Sequence, residues 1–168
     1  MIEAYIGLGS NLGDSPAQLG RALEELALLP DLRVDAVSSV FRTEPQGRKE
    51  QPWFSNMVAR LLCSDIWTPQ SLLRELLALE TRMGRTRDPY DHFGPRVIDI
   101  DLLLFGDETA HVLDEPALEL PHPRLHERAF VLVPLHEIAP RLILPDGRAV
   151  CALLAALPHR VEEDRIYQ

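Results

Sequence analysis

The order of apolar and polar residues along the chain predicts alternating strands and helices. Runs rich in valine, isoleucine and leucine predict four strands, at residues 4–9, 32–43, 54–63 and 97–105. Apolar residues spaced three and four apart predict a first helix, with Ser15 as its N-cap and Gln18 completing a capping box. The same spacing after a Thr-Pro pair predicts a second helix from Thr68 to about Met83.

These elements follow the order β-α-β-β-α-β, which is typical of the ferredoxin-like fold. Beyond Gly106 the chain is interrupted by prolines and predicts two short helices, near residues 132–138 and 149–157. We therefore expect an α+β protein, a ferredoxin-like sandwich with an antiparallel sheet and a C-terminal helical extension. The length of 168 residues fits one domain over residues 1–168, because domains most often have about 100–150 residues.

The charged residues narrow the classes of partner. With 26 acidic and 17 basic residues the formal net charge is −9, so nucleic acid and anionic membranes, which need clustered positive charge, are not expected partners. No apolar run reaches the roughly 20 residues of a membrane span, and no basic signal-peptide start is present. Cys63 and Cys151 lack metal-binding spacing and are expected as free thiols in a reducing cytosol, so we expect a cytoplasmic protein. The only lysine, Lys49, is not in a Walker A sequence, so any phosphate binding must use arginine.

The sequence Asp99-Ile100-Asp101 is the strongest chemical signal. Side chains alternate along a strand, so the two carboxylates share a face about 7 Å apart. Among apolar neighbours they would repel each other unless divalent cations lay between them, and oxygen ligands suit Mg²⁺. The alternative is a solvated strand end with two surface aspartates, which the apolar neighbours make less favourable.

Four arginines and two aspartates lie in residues 82–96, just before this pair. A guanidinium pairs with phosphate through two parallel hydrogen bonds, so the arginines beside the carboxylates indicate a clamp for a polyphosphate and Mg²⁺. Taken singly, each arginine is better explained as part of a solvated surface. Glu80 continues the apolar stripe of the second helix, so it either faces water at the helix end or reaches into the site. Glycines and prolines at both ends predict a loop that closes over a substrate.

Two further segments carry candidate binding residues. Phe54 and Asn56 share a strand face and could stack on a flat heterocycle and bond its edge, although ordinary core residues show the same pattern. His122 lies between two prolines, and Arg128 and Phe130 alternate as partners of a phosphate or a ring would; surface-loop histidine is the alternative for His122. The glycine-rich turn after the first strand departs from the dinucleotide fingerprint, which leaves pocket lining and a plain strand-to-helix turn open.

Six segments, taken together and in this order, resemble the 6-hydroxymethyl-7,8-dihydropterin pyrophosphokinases of folate biosynthesis. The resemblance extends from about residue 2 to residue 147, and its most specific part is the Gly-Pro-Arg-x-x-Asp-x-Asp sequence ending at Asp101. The six segments are Tyr5–Leu12, Arg42–Pro45, Gln51–Asn56, Glu80–Arg85, His92–Asp101 and Leu120–Pro123.

The resemblance implies an enzyme that transfers pyrophosphate from ATP to 6-hydroxymethyl-7,8-dihydropterin and releases AMP. It implies two Mg²⁺ ions held by Asp99 and Asp101, which form the catalytic group with Arg85 and Arg96. The expected nucleotide-binding residues are Glu80, Arg85, Arg87, Arg96, His122 and Arg128. The expected pterin-binding residues are Thr43, Phe54, Asn56, Phe93 and Phe130. Residues 44–52 and 84–95 would be mobile lids, and we expect a monomer.

Two other classes of protein share part of this pattern. A nucleotidyl or sugar transferase could use the Asp-x-Asp pair, but it would not need the Phe54 and Asn56 pair. A non-catalytic ferredoxin-like module could bind a small ligand, but it would have no use for two carboxylates beside four arginines.

Overall fold

A computed structural model describes all residues from Met1 to Gln168 and shows a mixed α+β fold built on a mostly antiparallel seven-stranded sheet. Four α-helices and a separate two-stranded sheet complete it. The elements are β1 (Ile2–Ser10), α1 (Ser15–Ala27), β2 (Leu32–Val37), β3 (Phe41–Thr43), β4 (Phe54–Cys63), α2 (Pro69–Arg82), β5 (Asp99–Phe105), β6 (Ala110–Val112), β7 (Leu118–Leu120), α3 (Ala129–Ile138), α4 (Val150–Ala156), β8 (Arg160–Glu162) and β9 (Arg165–Tyr167).

The sheet separates two hydrophobic cores. Its strand order is β5-β1-β4-β3-β9-β8, with β2 also paired to β4, and only the β3–β9 pair is parallel. The apolar stripes of α1 and α2, including Leu19 and Leu76, pack in the larger core on one face. Leu132 of α3 and Val150 of α4 pack in a second core with Leu103 of β5. The C-terminal helices therefore cover the face that α1 and α2 leave open.

Two details of the predicted elements are wrong. The strand predicted at residues 32–43 is two strands, because the Ser38 hydroxyl accepts the Val58 N–H at 3.0 Å and interrupts the ladder along β4. The N-cap of α1 is Asp14, whose carboxylate accepts the Ala17 N–H at 3.2 Å, and not Ser15.

The C-terminal extension is not only helical. The β6–β7 hairpin and the β8–β9 hairpin were not predicted, because their strands have three residues each and carry no apolar alternation long enough to read. β9 joins the main sheet beside β3. None of the helices is both long and apolar enough to cross a membrane.

Candidate active site

One cavity of about 590 Å³ brings together predicted site residues from four elements and three loops. It is lined by twelve of the thirteen predicted residues, namely Phe54, Asn56, Glu80, Arg85, Arg87, Phe93, Arg96, Asp99, Asp101, His122, Arg128 and Phe130. Thr43 is the exception. It is buried behind the wall, where its hydroxyl accepts a hydrogen bond from the Asn56 amide at 2.6 Å. Thr43 therefore orients Asn56 and does not line the cavity itself.

Asp99 and Asp101 lie at the start of β5, where they alternate with Ile100 and Leu102 of the larger core. Their side chains are 25% and 33% exposed, so the carboxylates are only partly solvated. Desolvation and the neighbouring charge of Asp99 raise the pKa of Asp101 to about 7. Two oxygen-donor groups whose charges repel in a partly dry cavity fit a divalent cation, since a cation would remove that repulsion.

Glu80 is the last buried side chain of α2 and reaches β5. Its carboxylate accepts the Ile100 N–H at 2.7 Å, which is the amide between the two aspartates. It also pairs with Arg85 at 2.8 Å and Arg87 at 2.8 Å. Burial raises the pKa of Glu80, while Arg85 and the Ile100 N–H oppose that rise. Glu80 thus joins the helix end, the arginine loop and the backbone of the carboxylate strand.

Both oxygens of Asp99 are held by arginines. Arg85 donates to one oxygen at 2.6 Å and Arg96 to the other at 3.1 Å. Burial lowers the pKa of Arg85, but the charges of Asp99 and Glu80 raise it more, so the guanidinium stays charged. Arg96 is fixed at its backbone, where its N–H donates to the Asn11 side chain at 2.8 Å and its carbonyl accepts the Asn11 N–H at 3.1 Å.

Asp101 faces His122 and Arg128 instead. Its carboxylate lies 4.0 Å from His122 Nε2 and 3.7 Å from Arg128 Nη1. Burial and the charge of Arg128 lower the pKa of His122 to about 4, so its ring is neutral at physiological pH. His122 Nδ1 accepts the Arg124 N–H at 3.2 Å, which places the ring proton on Nε2, toward Asp101. Arg128 Nε is buried and makes no hydrogen bond within the protein.

Each of the two candidate stacking rings lies beneath one of these arginines. The Arg96 guanidinium is 5.7 Å from the centre of the Phe54 ring, and the Arg128 guanidinium is 5.4 Å from that of Phe130. Gly9 leaves room for the Asn56 amide, since a Cβ at Gly9 would lie 2.5 Å from Asn56 Oδ1. Of the glycine-rich segment, Gly9 at the end of β1 lines the pocket.

The two loops expected as lids contact each other, and both contribute residues to the cavity lining. Arg48 donates to Asp91 at 2.7 Å, and the Gln51 amide donates to the Phe93 carbonyl at 2.7 Å. The Asn11 amide holds the Gln51 side chain at 2.9 Å. Asn11 therefore connects both loops, since it also bonds the backbone of Arg96 in the second loop.

Sequence reasoning missed the far wall of the cavity and the Asn11 connection. The wall is the β6–β7 hairpin, with His111, Leu118 and Glu119 on the lining. The strands β6 and β7 have three residues each, which is too short to show an apolar alternation in the sequence. Asn11 lies in the recognised motif, but its bonds to partners 40 and 85 residues away depend on the packing of the loops.

Comparison with known proteins identifies close relatives of this chain. Residues 5–140 match the model of the 7,8-dihydro-6-hydroxymethylpterin-pyrophosphokinase (HPPK) family. A 2-amino-4-hydroxy-6-hydroxymethyldihydropteridine pyrophosphokinase of Methylorubrum extorquens is 48% identical over 94% of both chains. The Pseudomonas aeruginosa protein of the same name is 45% identical over 93% of this chain and 92% of its own. A Plasmodium falciparum HPPK-DHPS crystal structure superposes with a TM-score of 0.69 at 14% identity, covering 99% of this chain and 48% of that one, and shows the fold.

Proposed function

Since this chain belongs to the 7,8-dihydro-6-hydroxymethylpterin-pyrophosphokinase family, we propose that it transfers pyrophosphate from ATP to 6-hydroxymethyl-7,8-dihydropterin in folate biosynthesis. The hydroxymethyl oxygen forms a bond to the β-phosphorus of ATP. The bond from that phosphorus to the oxygen bridging to the α-phosphorus breaks, so the products are the pterin diphosphate and AMP. The hydroxyl proton is released.

The observation that carries this proposal is the position of two guanidinium groups. Arg96 lies between the Phe54 ring and Asp99, and Arg128 lies between the Phe130 ring and Asp101. One guanidinium group therefore lies between each of the two candidate stacking rings and one carboxylate of the pair. A bound pterin and a bound triphosphate would meet in this cavity, as the reaction requires, because proximity and orientation supply much of the catalysis in phosphoryl transfer.

Asp99 and Asp101 would hold two Mg²⁺ ions. Bound there, the ions would supply positive charge to the triphosphate oxygens and acidify the attacking hydroxyl group. The carboxylates fit this role because they are close, partly desolvated and mutually repulsive. Glu80, through the Ile100 N–H between them, fixes the strand that carries both.

The arginines would exchange partners when substrates bind. Arg85 and Arg96 pair with Asp99, which would have to release them to bind a cation. The triphosphate offers them anionic oxygens in return, so the charge of the site stays balanced. Arg87 is 62% exposed and can swing toward the phosphates, and Arg128 Nε already lacks a partner. The neutral His122 would donate its Nε2 proton to a phosphate oxygen.

Phe54 and Phe130 would stack on the pterin, and the Asn56 amide, oriented by Thr43, would bond its edge. Phe93, carried by the second lid, would close over the ring. Its carbonyl bond to Gln51 couples that closure to the first lid.

Incubation of the purified protein with ATP, Mg²⁺ and the hydroxymethyl-dihydropterin, followed by separation of the nucleotides, tests the function. We expect AMP in equal amount to the pterin diphosphate, and none when the divalent cation is chelated. ADP as the product would refute pyrophosphate transfer. An Asp101→Asn variant that kept full activity would refute the proposed metal ligands while leaving the reaction intact.

We also propose that the chain works in the cytoplasm as a monomer, with residues 1–168 forming one pyrophosphokinase domain. Both cysteines are free thiols, which supports a reducing compartment. The order β5-β1-β4-β2 supports a ferredoxin-like arrangement of the central strands. Sedimentation at assay concentration would reveal a dimer if the monomer is wrong.

A further inference from the structure

The hairpin of β8 and β9 brings the end of the sequence beside the proposed pterin site, although it lies beyond the residues that match the family. β9 pairs with β3, and Ile166 is buried in a small cluster with Phe41 and Ala129. Ala129 is the first residue of α3 and lies between Arg128 and Phe130. The hairpin therefore packs directly on the segment that carries two proposed site residues.

The Gln168 side chain forms hydrogen bonds to the backbone on both sides of Arg128. Its side-chain oxygen accepts the Ala129 N–H at 2.9 Å, and its side-chain nitrogen donates to the Glu127 carbonyl at 2.7 Å. A helix usually has its first amides capped by the side chain of its N-cap residue. The N-cap of α3 is Arg128, whose side chain makes no such bond and points to Asp101 instead. Gln168 thus supplies from a distance the cap that Arg128 does not provide.

The same hairpin also touches the other side of the site. The Tyr167 ring packs edge-on against Trp53 at 5.3 Å, and Trp53 directly precedes Phe54. The Arg160 guanidinium lies over the Tyr167 ring, 4.3 Å from its centre. One short hairpin therefore contacts the neighbours of both candidate stacking rings.

We propose that Gln168 is a positioning residue for the reaction, which holds Arg128 and Phe130 where the pterin and the triphosphate need them. This inference rests on the proposed roles of these two residues. Without the two hydrogen bonds, the peptide on either side of Arg128 would be free to shift. The Phe130 ring would then lose its fixed position, which should weaken pterin binding more than it weakens the fold.

Gln168→Met tests this, because methionine keeps the length and volume of the side chain but removes both hydrogen bonds. We expect the KM for the pterin to rise about tenfold, because the two lost hydrogen bonds, each of modest net strength, would no longer hold the segment that carries Phe130. Gln168→Glu keeps the acceptor for the Ala129 N–H but loses the donor to Glu127, so its KM should lie between those of wild type and Gln168→Met.

Thr68→Val is the matched control. The Thr68 hydroxyl caps α2 through the Ser71 N–H at 3.1 Å, at the end of the helix opposite Glu80. Removing it should lower Tm by about 2–4 °C, comparable to Gln168→Met, with no change in KM. If Gln168→Met lowers Tm but leaves KM at the Thr68→Val value, Gln168 is merely structural and the inference fails.

Phe130→Ala separates this inference from the proposed function. If Phe130→Ala leaves the KM for the pterin unchanged, the proposed role of Phe130 is wrong, whatever Gln168 does. If Phe130→Ala raises KM and Gln168→Met does not, only the positioning role is wrong. When both hold, the double variant should show little more than the effect of Phe130→Ala, because Gln168 would have no ring left to position.

Discussion

Glu80 should stabilise the fold more than Glu75, the other glutamate of the same helix. Its side chain is 3% exposed, and Glu80→Ala would leave the buried Ile100 N–H without an acceptor, which costs about 1–3 kcal/mol. Breaking a buried ion pair by removing one partner costs about 3–5 kcal/mol. Arg85 would keep Asp99 at 2.6 Å and Arg87 is 62% exposed, so both arginines retain some compensation. We therefore expect Glu80→Ala to lower the free energy of unfolding by about 3 kcal/mol.

Urea unfolding of three variants checks this value. Glu80→Gln keeps a carbonyl for the Ile100 N–H and should cost about half as much as Glu80→Ala. Glu75→Ala removes a glutamate from the same helix whose partner Arg82 is 49% exposed, so it should cost less than about 1 kcal/mol. If Glu80→Ala destabilises the protein no more than Glu75→Ala does, Glu80 does not join α2 to β5 as described.

Three further predictions concern the site and its lids. Asp99→Asn should lower kcat by about a hundredfold or more, because this is the usual cost of losing one group that stabilises charge in a transition state. The circular dichroism spectrum should not change. Near-normal turnover would exclude a role of Asp99 as a metal ligand. Gly9→Ala would place a Cβ 2.5 Å from Asn56 Oδ1 and should raise the KM for the pterin about tenfold. Gly20→Ala is the control, because its Cβ would meet nothing within 4 Å and the KM should not change. Equal KM values for the two variants would show that the Asn56 amide can move aside. Arg48→Ala removes an exposed ion pair between the lids, so the free energy of unfolding should change by less than about 1 kcal/mol. Amide hydrogen exchange in residues 44–52 should become faster. Unchanged exchange would mean that this ion pair does not couple the lids.

Short-range patterns in the sequence predicted much of this protein. Period-two alternation placed Asp99 with Asp101 and Phe54 with Asn56, and the structure lines one cavity with all four. The predicted β4 and α2 match the observed bounds closely, because a long apolar pattern and a Thr-Pro start are properties of neighbouring residues. The family was recognisable for the same reason, since its motifs are contiguous.

Only the tertiary structure decided how these segments act on one another. The local pattern did not decide whether Glu80 faces water or reaches into the site. Its carboxylate reaches into the site because it accepts a hydrogen bond from the Ile100 N–H, 20 residues away. Ser38 divided one predicted strand in two because of the Val58 amide on a neighbouring strand. No sequence pattern indicated a role for Gln168, because that role depends on hydrogen bonds to two backbone groups about 40 residues earlier. Hydrogen bonds of this kind depend on strand register and helix packing, which bring distant residues together, and periodicity within one segment carries no information about them.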